Sequence, residues 1–129
     1  MWAAGCILAG MLFKTTSFFK GRNNYRQFLK IVRVLGTDDL FKYEKKYNAS
    51  LKFEGLDKMR DLYYEKIPWD TFIDPSNYHI VKDDALDLLD KMLVYDHNER
   101  INTRDAMAHH YFDPIRDFVK QQREAGQKS

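Results

Sequence analysis

The side chains that could bind a metal or act as a nucleophile are four histidines and one cysteine, in a chain of 129 residues. The histidines are His79, His97, His109 and His110. No two of them have the i, i+4 spacing that puts two metal ligands on one helix face, and adjacent histidines point about 100° apart on a helix. We therefore expect no metal site in this chain.

The acidic pairs and the cysteine can be explained by structural roles. The acidic pairs Asp38-Asp39 and Asp83-Asp84 stand at predicted helix starts, where a carboxylate favours the positive end of the helix dipole. Cys6 lies in an apolar run, which is typical of a small buried side chain and not of a nucleophile. The sequence contains no glycine-rich phosphate loop and no nucleophile elbow. The residues alone thus predict neither a catalytic nor a cofactor-binding site.

Composition excludes several classes of protein. Hydrophobic residues make up 44% of the chain and charged residues 31%, which is typical of a folded domain. The formal net charge is only +2, with both signs interspersed, so we expect no nucleic acid and no membrane as partners. The apolar run 1–13 has no basic segment before it and is shorter than the roughly twenty residues that cross a bilayer. It predicts a helix buried at the centre of a larger protein.

Helical spacing of apolar residues accounts for most of the chain and predicts an all-α fold. Helices are predicted over residues 2–13, 25–35, from 37 onward, 56–64, 82–95, 103–108 and from 113 toward 122. Gly36 is the expected end of the second helix, and Thr37, Asn102 and Asp113 are the expected N-caps of three others. No segment alternates with the strand period for long.

Three segments of the sequence resemble protein kinases. Residues 2–8, WAAGCIL, resemble the D-x-W-S-x-G segment that opens helix F, the buried central helix of that family. Residues 31–37, IVRVLGT, resemble the R-I-x-x-x-L-G-T continuation of helix G in the CMGC group. Residues 85–112 resemble the closing kinase segment, with its L-L-x-K-M-L, arginine and A-x-x-H-x-Y-F landmarks. The resemblance implies the C-terminal portion of the large lobe, helices F to I plus the CMGC-type insert, as an incomplete kinase fold.

Shorter pieces narrow the resemblance to the casein kinase II catalytic subunit. They are FFKG at 18–21, KYN at 46–48, WDTF at 69–72, NYH at 77–79 and YDH at 95–97. The implied organisation is a kinase-domain segment over residues 1–112, followed by a C-terminal helix and polar tail over residues 113–129.

The family's activity is transfer of the γ-phosphate of ATP or GTP, with magnesium, to Ser or Thr in acidic contexts. The segments that bind nucleotide and perform this chemistry would all precede Met1, so the chain by itself is expected to be inactive, with no catalytic residue and no cofactor of its own. The resemblance implies three kinds of partner: the missing N-terminal part of the kinase, acidic protein substrates and a regulatory beta subunit. It also implies a cytoplasmic and nuclear location.

Three residues match family positions, all with structural roles. Trp2 and Gly5 match the start of helix F, where the ring packs and the glycine permits close approach. Arg100 matches an arginine that pairs with a glutamate at the end of the activation segment. Without that glutamate, a buried arginine would be costly, and a surface arginine in a turn is the alternative.

The sequence leaves three interpretations of the chain open. The first is a fragment of a casein kinase II-like enzyme. The second is a natural non-enzymatic remnant that acts as an interaction module. The third is an unrelated all-α binding domain. In the first two, the apolar first helix should expose a large hydrophobic patch when the chain is alone.

Overall fold

The computed structural model describes residues 1–47 and 61–127, and this part of the chain contains six α-helices, two 3₁₀ helices and no β-strand. The α-helices are α1 (Trp2–Leu12), α2 (Asn24–Leu35), α3 (Thr37–Lys46), α4 (Asp83–Met92), α5 (Thr103–Ala108) and α6 (Asp113–Gln127). The 3₁₀ helices are Trp69–Phe72 and His110–Phe112. The predicted all-α fold is confirmed. None of the helices in this part of the chain is long and apolar enough to cross a membrane.

The centre of the core is the contact between α1 and α4. On α1 the buried residues are the two small ones, Gly5 and Ala9, followed by Leu12. Small side chains let two helix backbones approach closely. Opposite them, Ala85 and Leu89 of α4 are completely buried. Burying a leucine side chain stabilises a fold by about 1.5–3 kcal/mol, so this contact is a principal source of stability.

Aromatic rings extend the core beneath the end of α1. The ring centroids of Phe13 and Phe18 lie 5.4 Å apart, and both rings approach Phe72 at 5.4 and 5.1 Å. Trp69 stacks on Phe13 at 6.4 Å and donates its indole N–H to Asp90 of α4. These contacts hold the 3₁₀ helix Trp69–Phe72 against both the end of α1 and α4.

Local chemistry explains most of the helix ends. Gly36 has a φ of +87° and ends α2, as expected from its freedom to adopt positive φ. The Asn102 side chain accepts a 2.8 Å hydrogen bond from the Asp105 N–H, which confirms it as the N-cap of α5. The Asn23 side chain does the same for the Arg26 N–H at the start of α2.

Two predicted N-caps are wrong. Thr37 is completely buried, and its hydroxyl donates to the Tyr64 carbonyl and accepts from the Tyr64 N–H, so it does not cap α3. Asp113 is already helical, with φ −55° and ψ −45°, because the 3₁₀ helix His110–Phe112 leads directly into α6. A side chain inside a helix cannot act as its N-cap.

The helix predicted over residues 56–64 lies largely outside the described residues, and its described end is wrong. Leu62, Tyr63 and Tyr64 are not helical. The Tyr64 carbonyl instead accepts the Thr37 N–H at 2.9 Å, and the Ile67 N–H donates to the Val34 carbonyl. Pairing with the end of α2 and the start of α3 therefore replaces local helical hydrogen bonds in this segment.

Candidate functional site at the junction of α1 and α4

Trp2, Gly5 and Arg100, the three positions singled out from the sequence, all lie at one end of the α1–α4 contact. Trp2 is the first residue of α1, and Gly5 follows it by one turn. Arg100 lies in the connection between α4 and α5, and its guanidinium carbon is 5.3 Å from the centroid of the Trp2 ring. Such an approach of a cation to an aromatic face is attractive.

Gly5 sets the distance between α1 and the end of α4. A Cβ added at this position would lie 2.8 Å from Leu93 Cδ2 and 3.1 Å from Met92 Cβ. Carbon atoms pack at about 3.5–4.0 Å, so even an alanine would push the two helices apart. The absence of a side chain at residue 5 therefore permits Trp2 to reach Arg100.

The guanidinium of Arg100 is only partly used by the chain. Its Nε–H donates to the Val94 carbonyl at 3.0 Å, and one Nη2–H donates to the Tyr95 carbonyl at 3.3 Å. A guanidinium has five N–H groups, and across residues 1–47 and 61–127 no carboxylate lies within ion-pair distance of this one. The half-buried arginine thus holds open donors that suit a carboxylate in a bidentate pair.

Cys6 lies beside this site on α1. Burial raises the pKa of its thiol, and the positive charge of Arg100 partly opposes that rise. A thiol that stays protonated is a weak nucleophile. The chemistry available at the junction is therefore recognition of an anionic group by Arg100.

A comparison with known families agrees with this geometry. The family model described as the protein kinase domain matches residues 1–112. The chain belongs to the protein kinase family. The matched range includes the whole α1–α4 junction with Trp2, Gly5 and Arg100, and it ends at Phe112, directly before α6. The described residues of this range are helical without a strand and match part of a kinase domain.

A second group of polar side chains in this kinase segment brings Asp87, His109 and His110 together. One possible ligand atom from each lies within 4.8 Å of the others. The two histidines do not diverge as adjacent residues of a helix would, because His109 follows α5 with extended backbone, and the two rings lie 4.7 Å apart. Their proximity alone would suggest a metal site.

The hydrogen bonds of His109 indicate a structural role for this group. Its Nδ1 accepts the Tyr111 N–H at 3.0 Å, so the proton of the neutral ring resides on Nε2, which contacts Asp87 at 2.6 Å. A metal at Nε2 would have to displace that proton and compete with Lys91, which is 2.8 Å from the same carboxylate oxygen. Lys91 and His109 hold the pKa of Asp87 below its usual range. The group links α4 to the end of α5.

A polar cluster around Asp96 was not predicted from the sequence. Lys46 contacts the Asp96 carboxylate at 2.6 Å, the Tyr47 hydroxyl donates to it, and the Asn98 N–H donates to it at 3.0 Å. These contacts hold the pKa of Asp96 well below its usual range, with Lys46 as the main cause. The cluster ties the end of α3 to the connection after α4. Lys46 and Asp96 are fifty residues apart along the chain, and no local pattern signals such a contact.

Proposed function

We propose that this chain forms the C-terminal part of the large lobe of a casein kinase II-like protein serine/threonine kinase of the CMGC group. The parent activity is transfer of the γ-phosphate of ATP or GTP, with magnesium, to Ser or Thr in acidic contexts. In this proposal the chain supplies the scaffold and another part of the kinase supplies the nucleotide site and the catalytic groups. The observation that carries the proposal is the convergence of Trp2, Gly5 and Arg100 at one junction.

Contacts among the short segments that resemble casein kinase II support the narrower assignment. Phe18 lies against Phe72, so the segments at 18–21 and 69–72 pack on each other. Lys46 contacts Asp96, and the Tyr47 ring lies 5.0 Å from His97, so the described part of the first segment, residues 46–47, forms a second cluster with the segment at 95–97. Segments that support one another in three dimensions are less easily explained as separate chance matches.

The open side of the α1–α4 junction supports docking of the rest of the kinase. Ile7 and Met11, on the face of α1 away from α4, are 64% and 66% exposed. In the proposal, the preceding part of the large lobe covers this apolar face. A glutamate from the end of the activation segment occupies the open donors of Arg100. Removing either partner of such a pair leaves the other charge uncompensated.

Fragment complementation tests the proposal. The 129-residue chain is co-expressed with the preceding part of a casein kinase II-like kinase, up to its activation segment, and phosphate transfer to an acidic serine peptide is measured. We expect activity only when both parts are present. Arg100→Met should reduce it at least about tenfold, as expected for a lost buried ion pair. Arg104→Met is the matched control, because Arg104 is exposed on α5. Saturable, magnesium-dependent ATP binding by the chain alone would contradict the proposal.

The alternative is a non-enzymatic kinase remnant that acts as an interaction module. Ile115 and Phe118 of α6, 61% and 60% exposed, favour it because they form an apolar helix face suited to a partner. This alternative predicts no activity in the complementation assay. It predicts instead that the added chain inhibits the complete kinase by competing for its partners.

A further inference from the structure

Five cationic side chains surround one concavity beside the start of α2. They are Lys20, Arg22, Arg26, Lys30 and Arg33, and all five are exposed. Among the described residues, Gly21 and Leu29 complete the lining of this concavity of about 520 Å³, and none of these lining residues is acidic. We call this surface the basic groove. Since the whole chain has a net charge of only +2, the groove concentrates positive charge on one face.

Helix geometry and close packing fix the positions of these cations. Arg26, Lys30 and Arg33 follow one another at i, i+4 and i+7, so they share a face of α2 over roughly 10 Å. Gly21 is pressed against the first turn of that helix: a Cβ there would lie 2.7 Å from the Arg26 carbonyl carbon and would also collide with the Gln27 nitrogen. This close approach is what places Lys20 and Arg22 beside Arg26.

The positive charges of the basic groove are not neutralised by the described parts of the chain. Within residues 1–47 and 61–127, none of the five cations lies within ion-pair distance of a carboxylate. Arg33 approaches only the Tyr64 ring, at 5.9 Å. The positive end of the α2 dipole adds to the potential. Like charges at i, i+4 repel one another, and an anionic ligand would relieve that repulsion.

We propose that the basic groove binds a short acidic peptide segment of about three or four Asp or Glu residues in extended conformation. An extended chain advances about 3.3 Å per residue, so a segment of that length matches the 10 Å row of cations on α2. Carboxylates and guanidinium groups form strong charge-assisted hydrogen bonds. This site goes beyond the proposed function, because it includes none of the residues at the α1–α4 junction and requires no nucleotide.

Two observations favour a short acidic peptide over a nucleic acid. None of the lining residues within 1–47 and 61–127 is aromatic, so these residues offer single-stranded bases no stacking platform. Beyond the C-terminal end of α2, the next helix begins with the exposed carboxylates of Asp38 and Asp39. A long polyanion that continued along α2 would meet these like charges, whereas a segment of a few residues would end before them.

Fluorescence anisotropy on the full chain tests the proposal. The probe is a fluorescein-labelled peptide with four consecutive glutamates between glycines, and its glutamine analogue is the control ligand. We expect saturable binding of the glutamate peptide that weakens with added salt, and no binding of the analogue. Arg26→Gln with Lys30→Gln should weaken binding at least about tenfold, since both side chains belong to the binding surface. Lys120→Gln with Arg123→Gln removes the same charge from α6 and should change binding less than about twofold.

The same assay can overturn the proposal in three ways. An equal loss of affinity in the α6 control variant would show general charge attraction without a site. Tighter binding of an oligouridylate of equal charge, or of phosphatidylserine vesicles, with the same dependence on Arg26 and Lys30, would assign the groove to nucleic acid or to a membrane. Gly21→Ala moves the loop without changing charge; if this variant melts like the parent and binds the peptide equally well, the groove as defined here is wrong.

Discussion

The two faces of α1 have similar apolar compositions and opposite environments. The inner face, with Gly5, Ala9 and Leu12, is buried against α4 and the aromatic cluster. The outer face includes Ile7 and Met11, which are mostly exposed. The small residues mark the side where a second helix approaches closely, and the large side chains on the other side remain available to a partner. One helix therefore contributes to the core of this chain and also presents an apolar surface to other molecules.

Truncating the core under the inner face should have the largest effect. Leu89 of α4 is completely buried against α1, so Leu89→Ala should lower the free energy of unfolding by about 2–5 kcal/mol. Ile7→Ala on the outer face is the matched control and should change it by less than about 0.5 kcal/mol. Urea titration followed by circular dichroism measures both. Equal losses in the two variants would mean that the outer face is also buried in solution.

The close approach on the inner face gives a second prediction. Gly5→Ala should destabilise the fold by about 1–3 kcal/mol, because the new Cβ overlaps Leu93 and Met92. Gly126→Ala is the matched glycine control, since a Cβ there has no atom within 4 Å and alanine favours helix. Thermal unfolding of both variants distinguishes overlap from helix propensity. A Gly5→Ala variant more stable than the parent would contradict the packing described for this junction.

The contrast between the faces also marks what a sequence can predict. Helical periodicity predicted α2 and α4, although α4 ends at Met92 and not at residue 95, and local chemistry predicted the end of α2 at Gly36 and the start of α5 at Asn102. These signals depend on neighbours within a few residues. Because α1 is apolar on all sides, periodicity could not say which of its faces is buried.

Contacts between distant residues explain what the sequence could not predict. Thr37 was expected to cap α3, but its hydroxyl donates instead to the carbonyl of Tyr64, twenty-seven residues away. Resemblance to kinases pointed to Trp2 and Arg100 separately, and the fold shows that the guanidinium lies over the indole ring. The same holds for Asp96 and Lys46, which come together from α3 and the connection after α4.

Two polar residues differ in the same way as the two faces of α1. Asp96 has several hydrogen-bond partners within the chain, whereas Arg100 keeps N–H donors that are open to another molecule. The lowered pKa of Asp96 means that its contribution to stability is complete above the ordinary aspartate pKa of about 4 and is lost as pH falls below it. The raised pKa of Lys46, caused mainly by its bond to Asp96, makes its contribution complete below about pH 10 and lost at higher pH. The Lys46–Asp96 pair should thus contribute its full stabilisation between about pH 4 and about pH 10.

Substitution of each partner tests that pH window. Asp96→Asn should flatten the acid side of a plot of melting temperature against pH, and Lys46→Met should flatten the alkaline side. We expect a smaller loss at pH 7 than for Leu89→Ala, because the Lys46 side chain is half exposed and water screens its charge. An acid limb that keeps its full slope in Asp96→Asn would assign the pH dependence to other carboxylates.

The smallest expected effect concerns Cys6, which is half-buried on α1 beside Arg100. Because the charge of Arg100 opposes the rise in the thiol pKa caused by burial, Arg100→Met should raise that pKa further. Alkylation by iodoacetamide at pH 8 should then slow by about two- to fivefold, since only the thiolate reacts. Arg104→Met, at an exposed position on α5, should leave the rate unchanged. Faster alkylation of Arg100→Met would show that its main role is to keep the junction closed over Cys6, and an unchanged rate would show that its charge does not reach the thiol.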